Sequence, residues 1–154
     1  MQMKVTLIVS GKMKSGPELD LYINYIERLP YSVSLIEIDV KGSDETQKNL
    51  SENKRFMEEL SRINGYVIAL DEKGKSLTSR QIAEKFNNIT LLGHDHIIFL
   101  IGGSSGLSEE VKQQCDLLIS FGKMTWPHKL VRVMLAEQLY RIYSINVNHP
   151  YHKD

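Results

Sequence analysis

The sequence contains little cysteine and proline and has no long apolar segment. Its 154 residues include one cysteine, Cys115, so no disulfide can form within the chain, and we expect a reducing, cytoplasmic setting. No apolar run approaches the ~20 residues that span a bilayer, and the first residues lack the pattern of a secretory signal. We therefore expect no membrane partner and no export.

The chain also lacks an excess of charge of either sign. Lys and Arg total 19, and so do Asp and Glu, so the net charge is zero. Any nucleic-acid partner must therefore bind a local basic patch, because the protein as a whole does not attract it. From Lys123 to the end, five basic residues and three histidines face two acids, a mild basic patch suited to phosphate contacts. The ordinary hydrophobic content, 42%, argues against disorder and predicts one domain over 1–154.

Short apolar runs alternate with helical patterns along the whole chain. This alternation predicts an α/β domain with a parallel sheet and helices on both faces, although it leaves the strand order open. We expect Asp71 to Lys75 to form a turn and the helix over 46–63 to be mostly exposed. The predicted strands are 4–9, 33–38, 66–70, 97–101 and 117–119, and the predicted helices begin at Pro17, Thr46, Thr78, Ser108 and Pro127 or His128.

A glycine-rich loop, Gly102-Gly103-Ser104-Ser105-Gly106, follows the most apolar strand. Its spacing is neither the dinucleotide fingerprint nor a Walker loop. Two interpretations stay open: a tight turn that needs positive φ, or bare backbone that approaches a flat ligand without phosphates, such as the nucleoside of S-adenosylmethionine. Ligands of open α/β sheets bind at the carboxyl ends of strands, so we expect the chemistry here.

The second notable loop runs from Phe121 to Pro127, just before the last helix. Met124 and Trp126 cap the core, form the faces of an adenine slot, or do both. His128 is either a structural hydrogen-bonding residue or a catalyst. In the last helix the apolar face serves the core, a subunit interface or both. Three charged residues fall away from the centre of that face: Arg132, Glu137 and Arg141.

The chain resembles the ribosomal RNA large subunit methyltransferase H family of the SPOUT methyltransferases. The resemblance is carried by FLIGGSSGL, SFGKMTWPHKLVRVMLAEQLYRIYSI and NHPYHK, and the opening KVTLIVSGK also matches. It implies an α/β domain with a C-terminal trefoil knot and S-adenosylmethionine as methyl donor, with no metal. It further implies a homodimer that methylates N3 of a pseudouridine in 23S rRNA on the assembled ribosome, with no DNA partner.

The resemblance also implies a set of site residues. We expect the tail of one subunit to complete the site of the other. Trp126 departs from the family, which often has a smaller apolar residue there. The implied cofactor contacts are Leu70, Gly102, Gly103, Gly122, Lys123, Met124, Thr125, Trp126 and Pro127, and the implied catalytic or RNA-binding residues are His128, Arg141, Tyr151, His152 and Lys153.

The mechanism we expect is direct methyl transfer without a covalent enzyme intermediate. His128 or His152 would accept the N3 proton, and Arg141 or Lys153 would stabilise the developing anion. Two other classes stay open: a non-catalytic ribosome- or RNA-binding module of the same fold, and a flavodoxin-like nucleotide-binding protein. The neutral net charge favours a shaped ribonucleoprotein surface over free RNA as substrate.

Overall fold

The computed structural model describes residues 3–153, so Met1, Gln2 and Asp154 of the predicted domain lie outside the described residues. Within that range strands and helices alternate strictly, as predicted. The elements are β1 Lys4–Ser10, α1 Pro17–Glu27, β2 Ser32–Ile38, α2 Glu45–Leu60, β3 Tyr66–Lys75, α3 Ser79–Leu91, β4 His96–Ile101, α4 Glu109–Gln113, β5 Leu117–Ile119 and α5 His128–Asn146.

The five strands form one parallel sheet in the order β2-β1-β4-β3-β5. The chain leaves β1 toward β2 on one side, whereas it leaves β4 toward β5 on the other. The boundary between β1 and β4 is therefore the switch point of the sheet, the place where ligands of open α/β folds bind. The prediction of a parallel α/β sheet is confirmed, and the strand order is new information.

Helices cover both faces of the sheet. On one face, α1, α3 and α5 pack on strand residues that include Leu7, Phe99 and Ile119. On the other face, α2 and α4 pack on a smaller cluster that includes Ile8 and Leu100. Because both faces are covered, the central strands are apolar throughout rather than alternating, which explains their continuous runs in the sequence.

Local capping explains where the helices begin. The Thr78 hydroxyl accepts a hydrogen bond from the Gln81 N–H, and the Gln81 side chain accepts one from the Thr78 N–H, a reciprocal capping box. Ser108 caps α4 by accepting from the Val111 N–H at 3.2 Å. The predicted helix starts at these two residues are confirmed. None of the described helices is long and apolar enough to cross a membrane.

The turn predicted at Asp71 to Lys75 is wrong, because β3 continues through Lys75. Ile119 of β5 is paired with Leu70 and again with Lys75, and the Lys75 carbonyl accepts from the Ser120 N–H at 2.9 Å. The strand pairing overrides the local turn signal of an Asp-Glu-Lys-Gly run. A Cβ at Gly74 would lie 2.7 Å from the Ile119 backbone, so only glycine permits this approach.

The prediction that the second helix is mostly exposed is also wrong. Its buried residues are Glu52, Asn53, Phe56 and Glu59, so all but one carry a polar side chain. An apolar pattern could not reveal this face, because much of its partner is the polar backbone of the glycine loop rather than a hydrophobic core.

Candidate functional site

Three neighbouring strands, β4, β3 and β5, bring most of the predicted cofactor residues together. Leu70 of β3 lies beside Ile101 of β4 on one side and Ile119 of β5 on the other. Gly102 and Gly103 follow Ile101, and the segment 120–127 follows Ile119. The two loops that looked unusual in the sequence therefore leave the sheet at the same edge, with Leu70 between them.

Helix α2 holds the glycine loop along its length. Successive turns of the helix each bind the loop through one side chain, so the loop is fixed from one side by polar contacts. These contacts are Ser104 Oγ to Glu45 Oε2 at 3.1 Å, Asn49 Nδ2 to the Gly106 carbonyl at 3.0 Å and the Ser108 N–H to Asn53 Oδ1 at 2.8 Å.

The two interpretations of the glycine loop, a tight turn and a close approach of backbone, apply to different glycines. Gly106 has φ +77° and supplies the tight turn, whereas Gly102 and Gly103 do not have positive φ. At Gly103 the missing side chain serves close approach: a Cβ there would lie 3.0 Å from both carboxylate oxygens of Glu52 and 3.0 Å from Ser10 Oγ. A side chain at Gly103 would therefore fit only if the Glu52 and Ser10 side chains moved.

The segment 120–127, here called the apolar loop, is held by its own backbone and open to solvent. Gly122 has φ +110°, its N–H donates to Ser120 Oγ at 3.0 Å, and Trp126 Nε1 donates to the Phe121 carbonyl at 3.3 Å. Met124 is 73% exposed and Trp126 is 41% exposed. The alternative that these side chains cap the core is wrong, and they are free to contact a ligand.

His128 anchors the start of α5 to the end of β1. Its Nε2–H donates to the Ser10 carbonyl, which fixes the ring and leaves Nδ1 as the acceptor nitrogen. Burial, opposed by that hydrogen bond and aided by the positive charges of Arg132 and Lys48, lowers the pKa of His128 below its ordinary value. The imidazole is therefore neutral near pH 7.

The prediction that Arg132 falls away from the buried face of the last helix is wrong. It is 1% exposed, and its guanidinium donates to Glu37 Oε2 at 2.6 Å and to the Gly11 carbonyl at 3.1 Å. Glu37 also accepts from the Met13 N–H at 2.8 Å. No local pattern indicates this pair, because its members lie on distant elements and an arginine on a helix is usually exposed.

Arg141, Tyr151 and His152 form a second cluster, organised by Glu137. Arg141 binds Glu137 Oε1 at 2.7 and 2.9 Å, donates to His152 Nδ1 at 3.1 Å and lies 4.9 Å from the centre of the Tyr151 ring. The Tyr151 hydroxyl donates to Glu137 at 3.2 Å. Glu137 is not among the predicted site residues, although its position four residues before Arg141 on a helix is a usable signal.

The two groups of predicted RNA residues lie apart within one chain. At a rise of ~1.5 Å per residue, α5 separates His128 from Arg141 by ~20 Å. His149 and His152 do not share a metal site: His149 Nδ1 accepts from the Tyr151 N–H at 3.1 Å, and His152 binds Arg141. In the part of the chain that the structure describes, no group of three His, Cys, Asp or Glu side chains could hold a metal ion.

A cleft of about 530 Å³ lies between these two groups of residues. Phe121 and Gly122 of the apolar loop line one part of it, Tyr25 of α1 another, and Glu137 of α5 a third. It therefore connects the apolar loop with the cluster around Glu137 on the face covered by α1, α3 and α5.

Comparison with known proteins identifies the family. The family model described as "Predicted SPOUT methyltransferase" matches residues 3–152. The chain belongs to the SPOUT methyltransferase family. Two proteins named "Ribosomal RNA large subunit methyltransferase H" support this: that of Chelativorans sp. (strain BNC1) is 39% identical, with 98% of this chain and 91% of the relative covered, and that of Bifidobacterium adolescentis is 42% identical, with 98% and 100% covered.

Solved structures agree on the fold. A probable methylase family protein from Haemophilus influenzae Rd KW20 superposes with a TM-score of 0.56 at 13% identity, covering 99% of this chain and 70% of that one. The predicted SPOUT-type α/β sheet is thus confirmed, whereas the C-terminal trefoil knot stays a prediction.

S-adenosylmethionine is the methyl donor of SPOUT methyltransferases, and the residues at the sheet edge fit it. Gly103 and Gly122 expose backbone groups where a flat ligand needs close approach, and Trp126 and Met124 offer apolar surface for an adenine ring. The prediction of this methyl donor is confirmed. Its individual contacts stay predictions: Leu70, Gly102, Gly103, Gly122, Lys123, Met124, Thr125, Trp126 and Pro127.

Proposed function

We propose that this SPOUT methyltransferase methylates N3 of a pseudouridine in 23S rRNA on the assembled ribosome. The observation that carries the proposal is the meeting of Leu70, the glycine loop and the apolar loop at one sheet edge, in a chain whose relatives are named ribosomal RNA large subunit methyltransferases. The neutral net charge supports a shaped ribonucleoprotein substrate over free RNA.

The chain's own residues have mainly to bind, orient and move a proton. S-adenosylmethionine supplies a methyl group that its sulfonium already activates, so no covalent enzyme intermediate is needed. Met124 and Trp126 of the apolar loop would hold the adenine ring, and the backbone at Gly103 would hold the reacting end. Arg141, Tyr151 and His152 bind the RNA, where the guanidinium meets phosphate or a developing negative charge.

Two copies of the chain build the proposed site. His128 and Arg141 are ~20 Å apart on one helix, so a single chain keeps the two groups of predicted RNA residues apart along α5. A homodimer in which the tail of each subunit meets the loops of its partner would bring both groups to the same base. The separation along α5 supports the expectation that each site is shared between subunits.

Trp126→Ala tests the cofactor site. Aromatic stacking of a base is worth ~1–3 kcal/mol, so we expect S-adenosylmethionine affinity to fall about tenfold in calorimetric titration. Leu92→Ala is the matched control, because Leu92 is 79% exposed in the turn after α3 and its loss should leave binding unchanged. Equal affinity in wild type and Trp126→Ala would contradict the adenine slot.

The substrate is tested by methyl transfer from radiolabelled S-adenosylmethionine to ribosomes, followed by nucleoside analysis. We expect N3-methylpseudouridine in 23S rRNA, and no transfer when the target position carries uridine. Transfer to a naked rRNA hairpin as efficient as to ribosomes would contradict the ribonucleoprotein substrate. RNA affinity without cofactor affinity would identify a non-catalytic binding module instead.

A further inference from the structure

Glu52 is a buried carboxyl group for which the contacts described so far give no use. It is 5% exposed, its Oε2 is fully buried, and that oxygen has no hydrogen-bond partner. An unpaired carboxylate oxygen in such a place is costly, so it points to a missing donor. Glu45, Asn49 and Asn53 of the same helix each bind the glycine loop or the residue Ser108 beyond it, whereas Oε2 of Glu52 binds neither.

The carboxyl lies at the switch point of the sheet. Both its oxygens are 3.0 Å from the position that a Cβ would take at Gly103, and Ser10 Oγ is at the same distance from that position. Ser10 ends β1 and Gly103 follows β4, and these two strands are neighbours. The group therefore stands where the fold rule places a ligand.

This point lies at the margin of the predicted cofactor contacts. The predicted cofactor contacts extend from Gly103 toward β3 and β5, through Leu70 and the apolar loop. Glu52 and Ser10 lie on the other side of Gly103, toward β1. Gly103 is thus the boundary between two adjacent sites, and the molecule that must sit beside the methyl donor is the methyl acceptor.

We propose that Glu52 is the catalytic base that accepts the N3 proton of the target base, with Ser10 and Gly103 forming the acceptor subsite. This inference rests on the proposed function. As the N3–carbon bond forms and the methyl–sulfur bond breaks, the N3 proton passes to the Glu52 carboxylate. The positive charge of the sulfonium and the negative charge of Glu52 disappear together, and water later takes the proton.

Access and charge at Glu52 suit this role. Gly102 and Gly103 are half-buried and Ser104 and Ser105 are exposed, so the part of the loop beside the carboxyl carries no large side chain. Burial raises the pKa of Glu52, opposed by Lys48 and aided by Glu45 on the same helix. On α5, the titratable group near Ser10 is His128. Its Nε2–H is already bound to the Ser10 carbonyl, so His128 is a weaker candidate for the group that accepts the N3 proton.

Glu52→Gln tests the assignment, with Glu58→Gln as matched control on the solvent side of the same helix, where the Glu58 side chain is 43% exposed. General-base catalysis typically contributes 10²–10⁴-fold, so we expect the single-turnover rate on ribosomes to fall about a hundredfold or more. The wild-type rate should fall as pH drops through the raised pKa of Glu52, and this acid limb should vanish in Glu52→Gln. Calorimetric affinity for S-adenosylmethionine should stay at the wild-type value.

Three results would overturn the proposal. One is a folded Glu52→Gln protein with the wild-type rate and pH profile, and another is a loss of cofactor affinity that accounts for the loss of rate. If Glu52→Gln does not fold, Glu52→Asp replaces it: a slower rate with the acid limb retained supports the role, and an unchanged rate refutes it. A wild type that binds cofactor but methylates no rRNA would instead refute the proposed function, and the acceptor subsite with it.

Discussion

At the residue scale, Arg132 joins the last helix to the first two strands. Its guanidinium is buried and binds both Glu37 and the Gly11 carbonyl. Arg132→Met leaves the Glu37 carboxylate without its cation, and breaking such a pair costs ~3–5 kcal/mol when both groups are buried. Because the Glu37 side chain is 24% exposed, we expect the lower end, ~3 kcal/mol, in the free energy of unfolding by urea.

The control for this substitution is Arg55→Met. The Arg55 side chain is 42% exposed and pairs with Glu58 and Glu59 on its own helix. Pairs of this kind contribute ~0–1 kcal/mol, so the control should stay close to wild type. If both substitutions cost the same, the anchoring role of Arg132 is wrong.

At the scale of elements, α2 supports the glycine loop chiefly through side chains. Asn53 is 7% exposed, accepts from the Ser108 N–H and donates to the Asn49 carbonyl. Asn53→Leu keeps the volume but removes both bonds, so we expect a loss of ~1–3 kcal/mol in unfolding free energy. The amide of Ser108 should exchange its hydrogen faster, and S-adenosylmethionine should bind more weakly.

Asn87→Leu is the comparison for this change. Asn87 lies on α3, and its amide donates to Asn146 at 3.0 Å in an exposed pair. Surface substitutions of this type usually change stability by less than ~0.5 kcal/mol. Unchanged Ser108 exchange in a folded Asn53→Leu protein would show that the loop does not depend on α2.

The elements themselves were largely predictable, because their signals are local. Pro17, Thr78 and Ser108 mark helix starts through contacts within a few residues, and a buried strand reveals itself by its apolar run. The polar face of α2 and the burial of Arg132 were not predictable, since their partners lie on other elements. A hydrophobic pattern contains no information about a buried polar contact.

At the scale of the whole molecule, the site is predicted to be shared between two subunits. Gly103→Val should abolish cofactor binding by the loops, and Arg141→Ala should abolish RNA binding by the tail. If the tail of each subunit serves its partner, mixed dimers of the two inactive variants contain one intact site. Co-expression should therefore restore part of the methylation of ribosomes, and no restoration would mean that each site lies within one chain.

The candidate site was predictable only in part, for reasons that also appear at this scale. The resemblance to a known family predicted the two loops as a cofactor site. The structure of the sheet then showed that Leu70, Gly103 and the apolar loop lie at one edge. The position of Glu52 was not predictable, because the sequence of a charged helix does not show which of its carboxyl groups faces a glycine. Its position became visible only when β1, β4 and α2 were seen together.

The close passage of β5 against Gly74 has a consequence for how the chain is made. Synthesis delivers residues 71–75 well before β5, so the surface that receives Ile119 can exist when that strand arrives. The apolar loop follows β5 and takes its place only then. The predicted cofactor site is therefore complete only after β5 has been made, and α5 with its predicted RNA-binding residues is made later still.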